Sequence, residues 1–197
     1  MKLGFLALPA LLMLAACSSS ADHFALEAPR TSPQTPRPAA AEAVRSAGPL
    51  QLAAIGTYMD AQESDLRNRL RGSGALVTRP GDDLVIILPN DLLFSGAQLS
   101  PGGNSLLTII ADVLRHYDRS SIQIQGFTDT AGPPDRNLTL SNTRARAVYD
   151  ALTAGGLAKA RLSAQGFGET KLRVATGDNV SEARNRRIEI RIIARPG

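Results

Sequence analysis

The chain has 197 residues, with 22 Lys and Arg against 18 Asp and Glu, for a formal net charge of +4. One cysteine and two histidines exclude an internal disulfide and leave no His/Cys cluster for a metal. The weak basic bias suits an anionic polymer and is not the signature of a nucleic-acid binder.

The chain opens "MKLGFLALPALLMLAACSSS". Lys2 precedes an apolar run from Leu3 to Ala16, broken by Pro9. A membrane-spanning helix needs about 20 apolar residues, so this shorter run fits a secretory leader over residues 1–16. Its end, "LAAC", resembles the lipobox of bacterial lipoproteins. That resemblance implies that Cys17 becomes the lipidated first residue, carrying acyl chains such as palmitate. By analogy with enteric lipoproteins, Ser18 implies the outer membrane. The alternative is an ordinary leader with an incidental Cys17. Residues 17–50 then read as a disordered tether: Ser18 to Pro49 holds five prolines, many Ala and Ser, and almost no large apolar residues. Fully extended at about 3.1 Å per residue, it reaches on the order of 100 Å.

Residues 51–72 form the first periodic segment. Leu52, Ile55, Met59, Leu66 and Leu70 recur near helical spacing, and Gly72 suits the position past the helix end. The helix either packs on the domain that follows or binds a partner. Residues 73–197 read as one α/β domain. "ALVTRP" and "DLVIILP" are strands joined at Gly81-Asp82. "SPGGNSLLTIIADVLRHYD" is a helix with Leu106, Ile109, Ile110, Val113 and Leu114 on one face. His116 ends it, and the other histidine, His23, lies in the tether. "SIQIQGF" alternates as a strand does, with Ile122 and Ile124 inward, and Gly126 permits close packing. "NLTLSNTRARAVYDALTAGG" is a helix with Asn137 as N-cap and Leu138, Ala145, Val148 and Leu152 as its buried stripe. "RLSAQGFG" and "NRRIEIRIIA" are strands, the second placing Ile188, Ile190 and Ile192 on one face. The order β-β-α-β-α-β-β predicts a two-layer sandwich. Its mixed sheet has four or five strands, with helices on one face and at least one parallel pair joined through a helix.

The chemistry concentrates in "GFTDTAGPPDRNLTLSNTRARA". Asp129 stands just past a strand end, and Gly132-Pro133-Pro134 forms a turn. Asn137, Ser141 and Arg144 share a second face of the following helix. Helical side chains lean toward the N-terminus, so Arg144 reaches back toward the Asp129 loop. A negative and a positive pole beside a helix N-terminus suit a zwitterion, its ammonium on Asp129 and its carboxylate gripped by Arg144. A plain Asp129–Arg144 ion pair stapling loop to helix is the other reading.

"GFTDTAGPPDRNLTLSNTRARAVYDAL", "RLSAQGFGE" and "NRRIEI" together resemble the motif blocks of the OmpA-like C-terminal domain, over about residues 75–195. Peptidoglycan-associated lipoproteins carry the same domain. The resemblance implies an OmpA-C-like fold and noncovalent binding to the diaminopimelate residue of the peptidoglycan stem peptide. The positions that match the family's site are Asp129, Asn137 and Arg144, with Arg187 matching an arginine near the pocket whose side chain either lines it or only braces the sheet. Phe127 departs from the family's usual His. The expected role is a lipid-anchored tether between outer membrane and cell wall, without catalysis, metal, cofactor or nucleic acid. An envelope-complex scaffold with a protein partner is the alternative, and a wall-acting enzyme ranks below it. Ser141 has no His beside it, and no second acid is patterned against Asp129.

Overall fold

The computed structural model describes residues 52–195. The leader, Cys17 and the tether fall outside the described residues. Helix α1 spans Leu52–Arg69, and strands β1 (Leu76–Thr78) and β2 (Leu84–Pro89) follow. A short helix, α2 (Asn90–Leu93), leads into a small hairpin of β3 (Phe94–Ser95) and β4 (Gln98–Leu99). Then come α3 (Pro101–His116), β5 (Ser120–Phe127), α4 (Pro134–Ala154), β6 (Leu162–Gly166) and β7 (Arg187–Ala194).

The main sheet has the order β1-β2-β7-β5-β6. Only β5 and β6, joined through α4, run parallel; the other neighbours are antiparallel. The mixed five-stranded α/β fold agrees with the sequence expectation. Register follows the apolar alternation: Ile86 faces Ile190, which faces Ile124, and Leu84 faces Ile192, which faces Ile122. All six are essentially inaccessible and share one core with α1, α3 and α4. Slipping any strand by one residue would turn its apolar set to the other face.

Helix α3 begins where its chemistry dictates. Ser100 accepts a hydrogen bond from the Gly103 amide at 2.9 Å, and Pro101 occupies the first turn. Its buried stripe differs from expectation at one place: Leu107 is buried and Ile109 is exposed. A Cβ on Gly103 would lie 2.2 Å from the Leu93 carbonyl oxygen, so glycine is required for α2 to meet α3.

Helix α1 joins the same core through Tyr58, Met59, Leu66 and Leu70. The Tyr58 hydroxyl accepts from the Arg119 amide at 2.8 Å, and the Tyr117 hydroxyl donates to Asp65 at 3.0 Å. Gln62 sits on the same buried face, and among the described residues neither end of its amide has a hydrogen-bond partner. An unsatisfied buried polar group costs about 1–3 kcal/mol. Gln62→Met, of similar volume, is therefore expected to raise the melting temperature by several degrees. A thermal melt showing an equal or lower midpoint would contradict this reading of Gln62.

Candidate ligand-binding site

The site forms where β5 runs out. Gly126 and Gly166, paired across β5 and β6, let α4 sit directly on the strand ends. A Cβ on Gly126 would lie 2.4 Å from the Ser141 carbonyl oxygen, and one on Gly166 would lie 2.3 Å from the Asn142 amide nitrogen. The α4 side chains facing this junction are polar and bind backbone. The Ser141 hydroxyl accepts from the Gly168 amide at 2.9 Å, and Asn142 Oδ1 accepts from the Gly166 amide at 2.7 Å.

Two expectations about α4 are corrected here. The helix starts at Pro134 with Pro133 as its cap, so Asn137 lies inside the first turns and caps nothing. Its Nδ2 instead donates to the Asp129 carbonyl at 3.2 Å and to Glu169 Oε2 at 2.7 Å. Leu138 is exposed, while Asn137 and Ser141 share the buried face with Ala145, Val148 and Leu152. Proline at the first helical position is favoured because its missing N–H would have no intrahelical acceptor there.

Asp129 is buried, its side chain 7% exposed. Its Oδ2 accepts from Arg186 Nη1 at 2.8 Å, the Glu182 amide at 3.1 Å and the Ser181 hydroxyl at 3.3 Å. Among the described residues, no hydrogen bond engages Oδ1. Arg186 also reaches Asp91 at 3.4 Å. The hydrogen bond to Asp129 holds the Arg186 guanidinium even more firmly protonated than usual.

Arg144 does not pair with Asp129. Among the described residues no carboxylate lies within ion-pair distance of it. Its Nη2 donates to the Gly96 carbonyl of the β3–β4 hairpin at 3.1 Å, and its guanidinium lies 5.5 Å from the centre of the Phe94 ring. Among the described residues its buried Nε has no hydrogen-bond partner. Burial, then repulsion from Arg186, lowers its pKa from the usual arginine value, while Asp91 and Asp129 act on it in the opposite direction. A loop–helix staple is therefore not what the geometry contains. The site has a committed acid, and beside it a half-satisfied guanidinium.

Arg187 points elsewhere. Its guanidinium stacks 3.9 Å from the centre of the Phe127 ring, and its Nε donates to Glu189 at 2.6 Å. Phe127 in turn stacks on Phe167 with ring centres 5.4 Å apart, and Lys171 covers the Phe167 ring at 4.1 Å. Phe127 thus anchors the strand end through a cation–π layer in which Arg187 is a brace. The neighbouring Arg186, which the sequence reading passed over, carries the contact to Asp129. Asp91, Gly96, Ser181 and Glu182 were also missed. Their partners lie up to 95 positions away, and no local spacing announces such pairs.

Among the described residues no group of three or more His, Cys, Asp or Glu is placed to hold a metal ion. No helix of the described residues is long and apolar enough to cross a membrane.

Residues 93–186 match the model of the OmpA family. The chain is 39% identical over 138 residues to the protein named "Probable lipoprotein YiaD" of Escherichia coli K12, covering 69% of this chain and 63% of that one. It is 34% identical over 95 residues to the peptidoglycan-binding protein ArfA of Mycobacterium tuberculosis, covering 48% of this chain and 29% of that one. The match therefore spans less than two thirds of these relatives' own length. Among solved structures, the cell wall anchor of the T6SS from Pseudomonas aeruginosa superposes with a TM-score of 0.57 at 29% identity, over 68% of this chain and 96% of that one.

Proposed function

We propose that this chain, whose residues 93–186 match the model of the OmpA family, is a non-enzymatic tether built on a peptidoglycan-binding domain. Cys17 takes the lipid anchor in the outer membrane, residues 17–50 cross toward the wall, and the domain grips peptidoglycan. The ligand is the diaminopimelate of the stem peptide. Its ammonium meets Asp129 through Oδ1, and its carboxylate meets Arg144. Asn137 sets the height of the Asp129 backbone through its bond to the Asp129 carbonyl. Arg187 serves the site indirectly, by bracing Phe127 two residues upstream.

One observation carries this reading. Arg144 is half-buried, has no acidic partner among the described residues, and leaves Nε without a hydrogen bond. A buried donor left unsatisfied is costly, and a carboxylate accepting two parallel bonds removes that cost. The orphaned donor is thus better explained by an incoming ligand than by structural duty. The relative named for peptidoglycan binding and the wall anchor of similar fold support the same class of ligand.

The purified protein is expected to co-sediment with peptidoglycan sacculi, and free meso-diaminopimelate is expected to release it in a concentration-dependent way. Co-sedimentation that resists meso-diaminopimelate but yields to salt alone would reject the two-pole site in favour of nonspecific charge attraction.

A further inference from the structure

The segment between β6 and β7 carries little regular structure, yet it is fastened at two places. Asn185 is wholly buried. Its Oδ1 accepts from the Arg173 and Val174 amides at 2.8 Å each, and its Nδ2 donates to the Val174 carbonyl at 2.8 Å. This side chain closes residues 174–185 into a loop. The second fastening is Thr130, immediately after Asp129. Its hydroxyl donates to the Gly177 carbonyl at 2.6 Å and accepts from the Val180 amide at 3.1 Å. Its carbonyl accepts from the Asn179 amide at 2.9 Å. Asn179 takes φ of 56°, the left-handed turn that Asn tolerates better than most residues, and this brings the chain back toward Thr130.

The fastening has one product. It aims the Glu182 amide and the Ser181 hydroxyl at Asp129 Oδ2. The Glu182 carboxylate is turned to Arg184, which holds it by a side-chain pair at 2.9 Å. With Oδ2 saturated from the loop and from Arg186, Oδ1 alone is left for a cation.

We infer that residues 174–185 act as a clasp which orients the Asp129 carboxylate toward a ligand ammonium, with Thr130 and Asn185 as its positioning residues. This rests on the reading of Asp129 as the ammonium pole. The clasp selects for an amine at that pole, because without it the plane of the Asp129 carboxylate would be free to turn and the one cation position would blur. A dicarboxylate of the same length without amino groups gains nothing from it.

The test compares meso-diaminopimelate with pimelate, which lacks both amines, by titration calorimetry on the intact protein. Thr130→Val keeps the side-chain shape and removes the hydroxyl. It is expected to weaken meso-diaminopimelate binding about tenfold and to leave pimelate binding unchanged. Thr130→Ser, which restores the hydroxyl, is expected to recover wild-type affinity. Asn185→Ala is expected to repeat the selective loss. Asp129→Asn separates the clasp from the pole it orients. If Asp129→Asn loses meso-diaminopimelate binding while Thr130→Val keeps it, the clasp is wrong and the site stands. If Thr130→Val weakens both ligands equally, its role is general folding and the inference fails. If Asp129→Asn keeps full affinity, the ammonium pole itself is wrong, and the clasp falls with it.

Discussion

Arg144→Ala is expected to reduce binding to sacculi about ten- to a hundredfold while leaving the melting temperature unchanged or slightly raised. A hydrogen bond to a charged group is worth about 1.5–3 kcal/mol, which sets the affinity loss. The stability side follows from what Arg144 touches. It pairs with no acid among the described residues, it is repelled by Arg186, and part of its desolvation goes uncompensated. Its loss removes one bond to the Gly96 carbonyl and a cation–π contact to Phe94. Asp129→Ala behaves differently. It too should weaken binding, but it also strips Arg186, Ser181 and the Glu182 amide of their common acceptor in a buried place. Removing one partner of a buried pair costs about 3–5 kcal/mol. The two poles of the proposed site are therefore unequal: Arg144 would serve only the ligand, whereas Asp129 would serve both ligand and fold. Melting curves and sacculus binding on both variants test this together. Retention of binding by a folded Arg144→Ala protein would remove the positive pole from the site.

Arg161→Met is expected to be among the most destabilising single changes in the domain. Arg161 is 8% exposed, and among the described residues no acid pairs with it. It donates instead to three backbone carbonyls, Ser120 at 2.8 Å, Leu114 at 3.0 Å and Tyr117 at 2.7 Å, and to the Ser120 hydroxyl at 3.1 Å. Leu114 and Tyr117 lie at the C-terminal end of α3, where the helix dipole leaves carbonyls facing out with partial negative charge. One guanidinium thus ends α3, starts β5 and fastens the turn before β6. Methionine fills much of the volume but leaves three buried carbonyls short of a donor, at about 1–3 kcal/mol each. Relief from burying a charge offsets part of this, so a net loss of about 3–5 kcal/mol is expected, against a total stability of about 5–15 kcal/mol. Lysine should not rescue it, because a single ammonium cannot reproduce the planar fork. Urea unfolding would check this. An Arg161→Lys protein with the wild-type midpoint would show that the fork geometry is unimportant.

The sheet was legible in the sequence because β5 and β7 each bury one face, which their alternating Ile announces directly, and because β2 is a short continuous apolar run. The α3 start was legible for a similar reason: Ser100-Pro101 is a local chemical signal. Helix α4 was read less well. Its buried face near the N-terminus is Asn137 and Ser141, since those side chains must satisfy the backbone of the strand ends beneath them. An apolar stripe predicts the reverse, so Leu138 was assigned inward. Asp129 and Arg144 were visible as a pair of opposite charges, but their relation was not. The acid's partner is Arg186, placed by the pairing of β7 with β5. Arg187 and Arg186 are adjacent in sequence and opposite in direction, and only the strand register decides which of them meets Asp129.

Strand β5 ends two residues before Asp129, and it is an interior strand. It is paired with β7 from Ser120 to Phe127 and with β6 from Ile122 to Gly126. Traction applied at Asp129 therefore runs lengthwise along β5. The ladder bonds stand roughly across the strand, so they resist sliding together and are not peeled one after another. What limits survival under such a load is the rate of forced unfolding, not the equilibrium stability. In the proposed role, with one end joined to a membrane and the other to a wall, the protein would meet stress of this kind whenever the two surfaces separate. The proposed grip would enter the sheet through a strand held on both sides.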